Sequence, residues 1–108
     1  MIEVKFGMLN EKAFENYLKF LIGQLYKSLC LKEDNSETLL SYLESLNREL
    51  IGSKELITIL KNDARFISLM CKVQYLISDT EVDHKVFKKE IFSCINLVQK
   101  LQKQYGLS

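Results

Sequence analysis

The sequence predicts an all-α fold, an antiparallel up-down bundle of four long helices with a short extra helix near residues 54–61. Three observations lead there. The 108 residues include no proline and four glycines, so the usual punctuation of β-rich folds is missing. Hydrophobic residues make up 47% and charged residues 27%, the balance of a chain with a packed core. The third is periodicity. It is clearest over 83–105, where Phe87, Ile91, Cys94, Ile95, Val98, Leu101 and Tyr105 recur at steps of three and four. Lysines and amides fill the other side, and a lone helix with such a stripe must bury it against others.

Residues 1–9 alternate weakly at Ile2, Val4 and Phe6 and read as an N-terminal arm, extended or only partly ordered. Asn10 is a good N-cap, with Glu11 in the first turn where a negative charge suits the helix dipole. The helix it opens is expected to run to about residue 31. Its apolar residues, from Phe14 and Tyr17 to Tyr26 and Cys30, spread wider than one stripe and predict burial on more than one side. Gly23 sits mid-helix at a cost of about 1 kcal/mol relative to alanine. Close approach by a neighbouring helix would explain it, and so would simple tolerance.

Asp34, three residues before Glu37, forms a capping-box pattern, with Asn35 and Ser36 as alternative caps for a second helix over 36–51. Leu39, Leu43, Leu46 and Leu50 are its stripe, and Gly52 is its expected left-handed stop. Ser53 then caps the short helix. The apolar rhythm breaks at Asn62 and Asp63, one of which caps a helix over 64–77. That helix has the stripe Phe66, Ile67, Met70, Val73 and Ile77, flanked by Leu69, Cys71, Tyr75 and Leu76, which predicts a central, well-buried element. Residues 78–80 turn the chain into the last helix, where Thr80 with Asp83 forms a second capping-box pattern and Gly106 is the stop. Residues 10–106 thus read as a single helical-bundle domain, since this length leaves room for one core.

Charge and chemistry narrow the function classes. Fifteen basic against fourteen acidic residues leave a net charge of +1, with no overall field to draw nucleic acid or an anionic membrane. No window approaches 18 uncharged apolar residues, and residues 1–8 lack a secretory pattern, so a cytoplasmic protein is expected. Cys30, Cys71 and Cys94 are dispersed, show no CxxC spacing and sit in apolar patterns. They read as small buried hydrophobes in a reducing compartment. His84 is the one histidine, and it lies about 15 Å along its helix from Cys94 at 1.5 Å per residue, too far for a Cys/His pair. Glu-x-x-His motifs, an EF-hand loop and a glycine-rich phosphate cradle are all missing. Neither catalysis, a metal nor a cofactor is therefore expected.

By elimination the chain reads as a non-enzymatic protein–protein interaction module. The form expected is a small intracellular inhibitor or immunity protein, one that neutralises a partner such as a toxin by steric occlusion. Phe20, Tyr42 and Phe92 fall off the apolar stripes and are the candidate partner-binding aromatics. Glu44, Arg48 and Glu49 on the second helix are the candidate polar rim. Two alternatives use the same surplus apolar surface. One is a structural homodimer that buries it against a second copy. The other is a membrane-surface, bacteriocin-immunity-like bundle whose C-terminal lysines meet anionic lipid.

Overall fold

The computed structural model describes residues 2–4, 7–79 and 81–105. Five helices pack against one another as an all-α bundle. They are α1 (Glu11–Glu33), α2 (Leu39–Leu56), α3 (Thr58–Lys61), α4 (Ala64–Ser78) and α5 (His84–Gln104). In front of them β1 (Ile2–Val4) and β2 (Gly7–Leu9) pair antiparallel, Ile2 opposite Leu9 and Val4 opposite Gly7. Within the alternating 1–9 stretch residues 2–4 and 7–9 thus pair as two short strands, Phe6 lies outside the described residues, and Val4 bridges to Ile57 at the α2–α3 junction.

The four long helices close a ring in which α1 packs on α5, α5 on α4, α4 on α2 and α2 back on α1. Neighbours run antiparallel. Phe14 near the start of α1 meets Tyr105 after α5 edge-on at 5.8 Å, while Lys32 near the end of α1 lies over Phe87 near the start of α5. Lys72 of α4 pairs with Glu90 of α5 at 3.2 Å, and Tyr42 of α2 reaches back to Gln24 of α1. The core fills the centre of this ring. Phe14, Leu18, Leu43, Leu50, Phe66, Val73, Phe87, Ile91, Val98 and Leu101 are fully excluded from water.

Local chemistry sets the helix starts. Asn10 Oδ1 accepts the Ala13 N–H at 2.7 Å, Asp63 Oδ1 accepts the Arg65 and Phe66 N–H groups, and Asp83 Oδ1 accepts from Lys85. The first helix ends two residues beyond the expected point. Asn35 takes φ 51°, and the Ser36 N–H donates to Leu31 O while the Asn35 N–H donates to Lys32 O. That double closure is a Schellman motif with asparagine in the left-handed position. Asn35 therefore stops α1 rather than capping α2, and Asp34 belongs to the same stop instead of a capping box.

The largest departure from expectation concerns Gly52. It does not end the second helix, because α2 continues through Ser53 to Leu56. Glycine is conformationally free but does not force a stop, and it sits inside a helix at a modest cost. The helix ends where Ile57 turns extended, is buried and pairs with Val4, so a tertiary contact sets the boundary. The short helix accordingly covers Thr58–Lys61 rather than 54–61, with Ile57 and not Ser53 at its start. The second helix also begins at Leu39 instead of residue 36, after a turn in which Ser36 Oγ accepts the Thr38 N–H. The expected roles of Thr80 and Gly106 lie outside the described residues.

Two expectations of wide burial are corrected. On α4, Ile67, Cys71 and Tyr75 are exposed, so it presents one face to the core and one to solvent. On α1, Tyr26 and Cys30 are exposed in the same way. A ring of four helices gives each member only two neighbours, which leaves an outer face on every one. Cys94 alone of the cysteines is buried as expected, and burial pushes its thiol up to about 12.

Candidate functional site

The six residues expected at a binding surface are distributed over α1, α2 and α5. Phe20 projects from the outer side of α1 and is 46% exposed. Tyr42 is half-buried at the seam between α1 and α2, where its hydroxyl donates to the Gln24 side-chain oxygen and Lys27 Nζ lies 5.6 Å from its ring centre. Burial, with the Glu49 carboxylate nearby, holds its hydroxyl above the usual tyrosine value. Phe92 lies at the opposite seam, between α1 and α5, 41% exposed and edge-on to Tyr26 at 5.9 Å. Lys88 Nζ stands 6.0 Å from the Phe92 ring. Glu44, Arg48 and Glu49 are exposed along α2. The outer side of α1 thus separates two aromatic seams.

Tyr26 is the residue that sequence reasoning missed. Its spacing assigned it to the buried stripe, yet it is 46% exposed and completes a pair with Phe92. The signal was present in its chemistry, since tyrosine at the margin of a stripe can leave its ring edge and hydroxyl in water.

A depression of about 520 Å³ lies at the end of the bundle between the α1–α2 and α4–α5 connections. Ser36, Asp83 and His84 all line it, the residue types of an acyl-transfer triad. Their geometry serves capping instead. Ser36 Oγ is bonded to the Thr38 hydroxyl at 2.7 Å, and Asp83 caps α5. Adjacent residues 83 and 84 at a helix start also diverge rather than face each other. Among the described residues no group of three or more His, Cys, Asp or Glu side chains could hold a metal ion. No helix among them is long and apolar enough to cross a membrane.

The opposite end of the bundle is closed by a polar clasp. Asp63 is almost fully buried. Its Oδ1 caps α4 and its Oδ2 accepts the Tyr105 hydroxyl at 2.8 Å. Burial, then the bond to the carboxylate, pushes the Tyr105 hydroxyl up to about 12. Both carboxylate oxygens are occupied and the hydroxyl is held protonated, which fits a structural joint better than a proton donor. Beside it Arg65, Lys100 and Lys103 edge a shallow, open depression.

Comparison with known protein families, curated proteins and solved structures returns no match to this chain.

Proposed function

We propose that the protein is a non-enzymatic binding module, a small inhibitor or immunity protein that neutralises another protein by covering its working surface. The observation that carries this reading is the aromatic outer side of α1 and its α5 seam. There Phe20, Tyr26 and Phe92 stand between two-fifths and one-half exposed, whereas the phenylalanines Phe14, Phe66 and Phe87 are completely buried. Aromatic centres edged by charge are the usual anatomy of a binding surface, and a few such residues carry most of the affinity. Steric occlusion needs nothing more than a rigid body and such a surface. It requires neither a nucleophile nor a cofactor.

The test uses the purified chain as bait for extract of its native host, with the mass of the bait measured by light scattering. A monomer that captures one protein in stoichiometric amount, and loses it in the Phe20→Ser, Phe92→Ser double variant, supports the reading. A stable dimer that captures nothing overturns it in favour of a structural homodimer.

A further inference from the structure

Helix α1 has a glycine in its interior that nothing inside the molecule requires. A Cβ built on Gly23 meets no atom within 4 Å, so no neighbouring helix approaches it and that expectation from sequence is withdrawn. The residue is exposed, and alanine there would be the better helix former. Gly23 also occupies a particular place. At 3.6 residues per turn, the α1 residues within about 60° of it are the eight at positions 12, 16, 19, 20, 23, 26, 27 and 30, and every one is exposed. It is the centre of the face that α1 turns away from the bundle.

Two rows of side chains cross at that centre. Phe20, Gly23 and Tyr26 follow the row of every third residue, and Lys19, Gly23 and Lys27 follow the row of every fourth. A glycine at the crossing leaves a notch between two aromatic shoulders and two ammonium groups. Lys12 adds a third positive charge, and none of the acids of α1 lies on this arc. Glu15 stands at its flank, where it pairs with Lys19 at 3.0 Å. That pair, with the lysine exposed and the carboxylate partly covered, is one surface i,i+4 contact of modest strength. Lys27, itself exposed, lies over the half-buried Tyr42 ring.

We infer that this face is the docking site for an acidic amphipathic helix of the partner, laid across α1 over Gly23. The inference rests on the reading of the protein as a binding module and names the chemistry of what it binds. A notch at a crossing of rows accepts a ridge from a second helix at close backbone distance. The surrounding lysines select Asp and Glu at the edges of that ridge. A second copy of this chain fits poorly, because a two-fold contact through Gly23 sets Lys19 and Lys27 against the same lysines. A bilayer fits poorly as well. A helix lying on lipid gains by placing its largest apolar side chain at the middle of the buried face, where α1 has none.

The probe is a displayed library of five-turn amphipathic Ala/Leu helices whose flanking positions are all Glu, all Lys or all Gln. The wild-type chain should retain Glu-flanked helices about tenfold or more above Lys-flanked ones, with retention falling as salt rises. Gly23→Leu, which fills the notch with a good helix former, should melt no lower than the parent and lose about tenfold or more of that affinity. Lys19→Glu with Lys27→Glu should turn the preference towards Lys-flanked helices. Equal retention of all three classes, or unchanged affinity in Gly23→Leu, overturns the inference. So does a wild-type dimer that Gly23→Leu dissociates, or binding to phosphatidylglycerol vesicles in place of the helices. A host partner captured equally by wild type and Gly23→Leu removes this docking site and leaves the binding module standing. Capture of neither helices nor a host protein removes both.

Discussion

The two sides of α1 are built from similar residue types and do opposite things. Phe14, Leu18, Leu21 and Leu25 point into the ring and are essentially dry, while Phe20 and Tyr26, on the same helix, are each nearly half exposed. Apolar character alone did not decide which side was buried; phase along the helix did. The inner set repeats in step with the stripes of α2 and α5, whereas the outer set is centred on Gly23, where an added Cβ would meet no other part of the molecule within 4 Å. Burial on the first side follows from the sequence of this chain. On the reading proposed above, the exposed side is the half of an interface that awaits its partner.

Substitutions can break this contrast. The largest effect is expected from Leu21→Ala on the inner side, where removing a fully packed side chain should cost about 2–5 kcal/mol and lower the melting temperature by well over 5 °C. A loss below about 1 kcal/mol would mean that the inner side is not the tightly packed one. Asp63→Ala comes next. It removes the cap of α4 and leaves the Tyr105 hydroxyl without its acceptor, at about 1–3 kcal/mol in denaturant titration. Restoring most of that stability by adding Tyr105→Phe would show that the unpaired hydroxyl, rather than the lost cap, is the main term. The smallest effect belongs to Phe20→Ser, expected within about 0.5 kcal/mol of the parent. A larger loss would place Phe20 in the core energetics and remove it from the surface argument.

Much of the fold was legible because periodicity and capping agree. Asn10 was readable as a start, and Asp63 as one of two candidates with Asn62, since a short side-chain oxygen before an apolar run satisfies free N–H groups wherever it occurs. Asp83 was read as the distal partner of a capping box opened by Thr80, whereas it is itself the cap of α5. The stop of α2 was not legible. Gly52 permits a left-handed residue without demanding one, and the real boundary depends on Val4, which lies more than fifty residues away in the chain. Asn35 was misread for a related reason, as asparagine suits both an N-cap and a left-handed stop and only the hydrogen bonds to Leu31 and Lys32 distinguish them. At the candidate surface Phe20 and Phe92 were visible as off-stripe aromatics. Tyr26 was hidden, because a stripe read from one helix does not reveal that the ring provides only two neighbours.

The packing of the first helix on the last has a consequence for how the chain is made. α1 finds its most extensive partner in α5, which begins roughly fifty residues after α1 ends. At about 5–20 residues per second, a ribosome takes several seconds to supply it. For that interval the side of α1 that packs on α5 in the finished fold has no partner to cover it. The ring closes only with α5 in place between α1 and α4 and Tyr105 bonded to Asp63. A nascent chain stalled before residue 84 should therefore be protease-sensitive throughout, with no resistant N-terminal half.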